Sequence, residues 1–325
     1  MKDERAETTL LEDYVTSLRI GKVKTYTNLS VFPLFSERSR GNGFALLDDA
    51  VKTDRFTITE LTEGGSVPEL NVLNLLDTDV LIIDGEELVG AKQNRIVNTT
   101  IIIGKGQKVV IPVSCVEQNR WHYRSKNFSS SKSNLYAALR KKKSMSVHQN
   151  LRSSASYLSD QSEIWDDIQK KKASFSVHSD TNAMNDIFES YDSEINKYEE
   201  QFKSEPDQIG FITVIAGKIS GADIFGSRSV LPKIYSKLLR GYILDALEQN
   251  RMSEKADGSK AGAKAGKRTD IADEVAQFLR SVSAAPKEAF KSVGAGQELR
   301  FDDKKVNGFA LVNDDDVVHV AAFAD

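Results

Sequence analysis

The sequence predicts an α+β fold, with antiparallel β meanders in the N-terminal and C-terminal parts and a helical middle region. Three observations predict it. Between Thr27 and Trp121, short β-branched and apolar runs are broken by Gly, Asp and Asn, which is strand-and-turn texture. From Ser125 to about Lys203 this gives way to Ser, Lys, Gln and acids with apolar residues three to four apart. From Ala289 to Phe323, Gly294-Ala-Gly296, Asp302-Asp303 and Asn313 to Asp316 again separate short strands.

In chain order, a short charged helix is expected near Leu10 to Leu18. The clearest hairpin signal is Asp79-Val-Leu-Ile-Ile-Asp84-Gly85-Glu86-Glu87-Leu-Val, where Asp84-Gly85 suits a type I′ turn. A second hairpin is expected from Ile96 to Ile103 and Val109 to Val116, joined through Gly104-Lys105-Gly106. Helices follow over Leu135 to Lys143, Gln161 to Lys172 and Thr181 to Phe202, with the serine-rich Ser144 to Ser159 as a loop. Ile209 to Ile215 reads as a strand, Leu231 to Leu247 as a long amphipathic helix, and Ile271 to Val282 as another helix. Residues 251–267 are rich in Ala, Gly and Lys and predict a mobile linker. The expected organisation is a β-rich, motif-bearing region 1–124, a helical region 125–205 and an α+β region 206–325, compatible with one continuous domain. Gly43-Phe-Ala-Leu-Leu-Asp-Asp49 echoes Gly308-Phe-Ala-Leu-Val-Asn-Asp314, and Ile82-Ile-Asp-Gly85 echoes Val214-Ile-Ala-Gly217. These matches raise a two-fold internal repeat as an alternative to chance.

The 325 residues are 40% hydrophobic and 28% charged, with a formal net charge of -3. A chain this long can bury roughly three quarters of its unfolded surface. Near-balanced charge gives no general drive towards nucleic acid or an anionic membrane, and no run is long and apolar enough to span one. The single cysteine, Cys115, excludes an internal disulfide framework and any multi-cysteine metal site. The expectation is a soluble, cytoplasmic protein. His122, His148, His178 and His319 are scattered, and neither a phosphate-loop nor a dinucleotide-binding glycine pattern is present. No metal site is expected and no cofactor is assigned.

The densest polar information lies between Asp84 and Arg124. Gln93, Asn94, Arg95 and Asn98 stand beside apolar strands, where groups with several hydrogen-bonding atoms must find internal partners or a ligand. Arg95 and Arg120 either pair with Glu86 or Glu117 or use their planar forks on a phosphate or carboxylate. Glu86, Glu87 and Glu117 are candidates for acid/base work, and Glu60 is expected to end a strand in solvent. Cys115 aligns with Ile111 and Val113, which favours core packing over nucleophilic chemistry. Trp121 is either a packing anchor or a stacking surface. Lys141-Lys-Lys143 and Lys170-Lys-Lys172 read as solvated helix faces.

This block resembles the ARPP-1 family, proteins named for association with ADP-ribosylglycohydrolase and rhodanese-phosphatase genes. The resemblance rests on Tyr26-Thr-Asn-Leu, Val67-Pro-Glu-Leu70 leading to Asn74, Asp84-Gly-Glu-Glu-Leu-Val-Gly-Ala-Lys-Gln-Asn-Arg95 with Asn98, and Pro112-Val-Ser-Cys-Val-Glu117 with Arg120-Trp121. It implies a setting among NAD and ADP-ribose processing systems and assigns no catalytic residue. Together with the residues it suggests a hydrolase-like enzyme acting on an ADP-ribose or NAD-derived small molecule. Arg95 and Arg120 would hold phosphate, Gln93, Asn94 and Asn98 would orient ribose or base, Trp121 would line the site, and Glu86 or Glu117 would activate water. The alternative is a non-catalytic ADP-ribose sensor or scaffold, in which the same cluster binds ligand without turnover and the helical region recruits a protein partner.

Overall fold

A computed structural model describes residues 4–38, 43–257 and 268–325 of the chain. The fold is α+β, and its chain divides into two compact units, neither of them continuous in sequence. One unit takes residues 1–42, 193–291 and 296–325, and the other takes 43–192 and 292–295. Among the described residues no helix is long and apolar enough to cross a membrane.

The first unit is built on a nine-stranded antiparallel sheet. Its spatial order is Arg19–Ile20, Leu29–Phe35, Gly210–Ile215, Lys218–Phe225, Asp316–Ala324, Val306–Asn313, Gln297–Asp303 and Glu288–Lys291, with Lys24–Tyr26 also paired to Leu29–Phe35. The last four strands in sequence form a true meander, each paired with the one before it. Side chains alternate across a strand, so Ile212, Val214, Ala222, Ile224 and Val320 reach one face. There they pack with Leu11 and Val15 of helix Glu4–Thr16 and with Val275, Phe278 and Val282 of helix Arg268–Ala284. Phe211 points the other way and meets Tyr235 and Tyr242 of helix Leu231–Asp257 edge-on, at 5.2 and 5.7 Å between ring centroids.

The second unit carries the polar block. Its six-stranded sheet runs Phe128–Asn134, Glu86–Gly90, Arg95–Val97, Lys108–Cys115, Glu69–Asn74, Phe56–Glu60. A three-stranded sheet pairs Val80–Ile82 with Ile101–Ile103 and, in parallel, with Ala45–Leu46. Phe56, Ile58, Leu70, Val72, Val80, Ile82, Leu88, Val97, Ile101, Ile111 and Val113 share one core. Burying eleven such side chains removes a large apolar area from water, the main term holding the unit together. The helices Ala137–Ser154 and Gln161–Phe175 follow, the second capped by Asp160, whose carboxylate accepts from the amides of Ser162 and Glu163.

Several expected elements are revised. Asp84-Gly85 makes the turn, with Gly85 at φ +79 and the Glu86 amide donating to Ile83, but it does not make a hairpin. Val80–Ile82 and Glu86–Gly90 belong to different sheets, because each buried strand finds its partners elsewhere. Likewise Ile101–Ile103 leaves for the small sheet, so Lys108–Cys115 pairs with Arg95–Val97 and Glu69–Asn74 instead. The serine-rich stretch is not a loop as far as Ser154, because Leu139, Lys143, Val147 and Leu151 keep a buried stripe at spacing four. Helix Leu231–Asp257 runs through the first residues of the expected linker 251–267, whose remainder, 258–267, lies outside the described residues. The internal echo is matched in part: Leu47–Ala50 is helical whereas its counterpart ends strand Val306–Asn313 and turns, but Gly85 and Gly217 each follow a strand at φ +79 and +80.

Candidate functional site

Strand Arg95–Val97 sits between Glu86–Gly90 and Lys108–Cys115, with Arg95 opposite Leu88 on one side and Cys115 on the other. Cross-strand partners share a face, so the guanidinium leaves the sheet beside the thiol. It is fully buried. Nη1 donates to Gln93 Oε1 at 2.9 Å, while Nε and Nη2 find no hydrogen-bond partner among the described residues. Gln93 Oε1 also accepts from Cys115 Sγ at 3.1 Å. Burial depresses the Arg95 pKa, against which the nearby carboxylates Glu60 and Glu117 hold the charge, and burial pushes the Cys115 thiol up. Cys115 is therefore a packed, protonated thiol, held from outside by Gln161, whose side-chain amide pairs with both backbone groups of Cys115 at 2.8 Å.

Arg120 does different work. Its Nη1 donates to the carbonyls of Ala91 (2.7 Å) and His122 (3.0 Å). Its Nη2 donates to Gly90 O (3.1 Å), Asn94 Oδ1 (3.1 Å) and Glu117 Oε2 (2.6 Å). This fully buried fork fixes the turn 90–94 against the segment 117–122, which leaves it unsuited to a phosphate. Gly90 permits the approach, at φ +125 and with a Cβ position only 2.4 Å from Ser125 Oγ. Glu117 is desolvated, but Arg120, the Asn94 amide at 3.0 Å and Thr181 outweigh that and hold its carboxyl below the ordinary value.

The other predicted residues spread out. Glu86 Oε2 accepts from the Ile83 amide at 2.7 Å and closes its own turn. Asn98 lies in a separate network, donating to Tyr157 O at 3.0 Å and accepting from Ser114 at 2.7 Å. Asp84 anchors that side: its carboxylate pairs with Arg140 at 3.1 Å and with Lys143, both on helix Ala137–Ser154. Glu87 is fully buried with the Ser131 side chain beside its carboxyl, and burial, outweighing that contact, drives its pKa up to about 8.

What is open to solvent lies at the far end of the block. Trp121 and Tyr123 are 47% and 48% exposed. The Lys92 ammonium stands 5.2 Å from both ring centroids and donates to Gly64 O at 2.7 Å, and Arg95 Cζ is 5.8 Å from the Trp121 ring. Tyr123 lines a cleft of about 940 Å3 together with Glu60, Glu63, Arg124, Ser125 and Lys126. Arg124 reaches back to Glu117 Oε1 at 3.8 Å. Glu60 is buried, not solvated: Oε1 accepts from the Lys92 amide at 3.4 Å and Oε2 has no partner among the described residues. Strand alternation carried that signal, since Glu60 shares its inward face with Phe56 and Ile58. Lys92, Tyr123 and Arg124 were missed, although Trp121 and Tyr123 stand two apart, the spacing that puts rings on one side of an extended segment.

The arrangement offers flat rings, cations and one unpartnered carboxylate oxygen around a cleft, which suits a small molecule with an aromatic part and an anionic part. No curated protein and no solved structure matches the chain. A family model does match, over residues 17–323, and so takes in the polar block, the cleft and the strands of both units. On that near-complete match the chain belongs to the ARPP-1 family, the ARG and Rhodanese-Phosphatase-superfamily-associated Protein domain.

Proposed function

We propose that this chain binds ADP-ribose, or a closely related nucleotide-derived small molecule, in the cleft beside Trp121 and Tyr123, and holds it without turnover. One observation carries the reading: a lysine ammonium 5.2 Å from two half-exposed rings, at a cleft of about 940 Å3 whose wall includes Arg124 and Lys126. Rings supply stacking for a base, and cations supply the phosphate contacts. The local charge agrees. Lys92, Arg95, Arg120 and Arg124 face the carboxylates Glu60 and Glu117, an excess of two positive charges that a pyrophosphate would balance. The family description, with its ADP-ribosylglycohydrolase association, points to the same class of ligand.

Binding is favoured over hydrolysis by the engagement of the two carboxylates first considered for water activation. Glu86 closes a turn and Glu117 is tied to Arg120. In this reading Arg120, Glu117, Asn94 and Asn98 are scaffold, Gln93 positions Arg95, and Arg124 with Lys126 takes phosphate. Titration calorimetry with ADP-ribose should give saturable binding that weakens with salt and drops about ten-fold in Arg124→Ala, the loss of one charge-assisted contact. Mass spectrometry of the same mixture should return ADP-ribose intact. Absence of heat with the parent protein overturns the reading, and released product replaces it by a hydrolase in which Glu60 is the carboxylate to mutate.

A further inference from the structure

Among the buried polar atoms of this unit that lack a hydrogen-bond partner, three belong to two residues, Arg95 and Glu60. Arg95 Nε and Nη2 and Glu60 Oε2 are all buried and all lack a hydrogen-bond partner among the described residues. Buried groups of this kind are rare in folded proteins, because each has given up water for nothing. Glu60 lies within Coulombic reach of Arg95, and Glu60 also forms part of the cleft wall. The Trp121 ring, with its centroid 5.8 Å from the Arg95 guanidinium carbon, stands beside them. Gly65 backs that ring: it sits at φ +80, and a Cβ there would lie 3.2 Å from the indole and from the Lys92 stem. A side chain at this position would push the ring aside.

We infer that Arg95 and Glu60 form a base-reading subsite next to Trp121, taking the edge of a planar nitrogen heterocycle that carries an N–H donor beside an acceptor. This rests on the proposed cleft and specifies which end of the ligand goes where. An anion at Arg95 would meet the Glu60 carboxylate, so a phosphate is the wrong partner on this side. A neutral edge with both signs satisfies both residues: its acceptor takes the free guanidinium N–H groups, its donor gives to Glu60 Oε2, and its face lies on the indole. Aminopurines and aromatic carboxamides both have such an edge. The phosphate-bearing end then points along the cleft towards Arg124 and Lys126.

The test uses the full chain and four ligands in calorimetry: adenosine monophosphate, inosine monophosphate, nicotinamide mononucleotide and ribose 5-phosphate. In inosine monophosphate the order of the edge is reversed, a carbonyl replacing the amino group and the neighbouring ring nitrogen carrying a hydrogen, so in the same pose an acceptor would face Glu60 and a donor would face Arg95. Adenosine monophosphate should bind at least about ten-fold more tightly than inosine monophosphate, the scale of one buried group left unpaired. Glu60→Gln, isosteric and able to donate, should bring that ratio near one without changing ribose 5-phosphate. Trp121→Ala, at a half-exposed ring whose loss the fold tolerates, should weaken the nucleotides but not ribose 5-phosphate. Nicotinamide mononucleotide matching adenosine monophosphate assigns the edge to both sources, and matching inosine monophosphate restricts it to aminopurines. Equal affinity for the two purine nucleotides, or a ratio that Glu60→Gln leaves intact, overturns the inference. If in that case Arg124→Ala still weakens every phosphate ligand, the cleft stands and only the subsite falls. Failure of all four ligands to bind removes both.

Discussion

Glu87 is a fully buried carboxyl group, offset only in part by the Ser131 side chain and facing the negative charges of Glu117, Glu189 and Asp186. Desolvation raises its pKa from 4.5 to about 8, so at neutral pH it is a protonated acid in the folded chain. The sign of the linkage follows. Below about pH 4.5 both states hold the proton. Between there and about pH 8 the folded state keeps it and the unfolded state loses it, so stability falls as pH rises, at up to about 1.4 kcal/mol per unit for this group. Above about pH 8 the contribution is gone. Urea unfolding of the parent and Glu87→Gln from pH 4.5 to 9 should therefore give curves that diverge with rising pH, the variant becoming the more stable. Parallel curves would mean that Glu87 is ionised and solvated. At this scale the sequence pointed to polar residues that lie together and offered Glu117 as a partner for Arg120, which the structure pairs at 2.6 Å. Gln93, Asn94, Arg95, Glu117 and Arg120 do converge, but the partners of Arg120 include the backbone carbonyls of Gly90, Ala91 and His122. Any residue supplies a carbonyl, so the side-chain pattern could suggest the Glu117 partner but not the three carbonyls that complete the arginine's shell.

Turns and strands follow the same logic one level up. Asp84-Gly85 was legible as a reversal, since positive φ at a glycine is a local property. Which strand lies beside which was not, because Val80–Ile82, Ile101–Ile103 and Arg95–Val97 are three short runs of similar character competing for the same partners. Helices were easier, and the one shortened in the sequence reading, Ala137–Ser154, was lost to its serine and lysine content although its stripe of Leu139, Val147 and Leu151 was present. That helix is docked through charge. Asp84 receives Arg140 and Lys143, all three fully buried, and Lys143 also donates to Asn98 O at 2.8 Å. Replacing the carboxylate takes the Asp84 charge away from two buried cations, a change that costs about 3–5 kcal/mol. Asp84→Asn should lose about that much in chemical denaturation, and hydrogen exchange should quicken first in Ala137–Ser154 and in the turn 84–86. A loss under about 1 kcal/mol, with uniform exchange, would show that apolar packing alone docks the helix.

Across the whole chain, the two halves of the nine-stranded sheet are unequal in how far the chain must travel to form them. Gln297–Asp303, Val306–Asn313 and Asp316–Ala324 pair in sequence order through short turns, Asp303↔Val306 and Asn313↔Asp316 closing them. Leu29–Phe35 instead pairs with Gly210–Ile215, with Phe32 opposite Ile212, and most of the second unit lies between them in sequence. Closing a loop costs chain entropy before any contact repays it, so the distant pairing is the slower step. The local strands also bring their own apolar faces, with Leu299, Phe301, Val306, Ala310, Val312, Val317 and Val320 in one core. In pulse-labelled refolding followed by mass spectrometry, amides of 297–324 should be protected in an early phase. Those of Leu29–Phe35 and Gly210–Ile215 should follow together in a later one, since each satisfies the other's backbone groups and neither edge is stable alone. Simultaneous protection of all these strands would show that the sheet forms in a single step, with the long connection already ordered when the meander closes. Protection of Leu29–Phe35 ahead of the meander would mean that something other than loop closure sets the order.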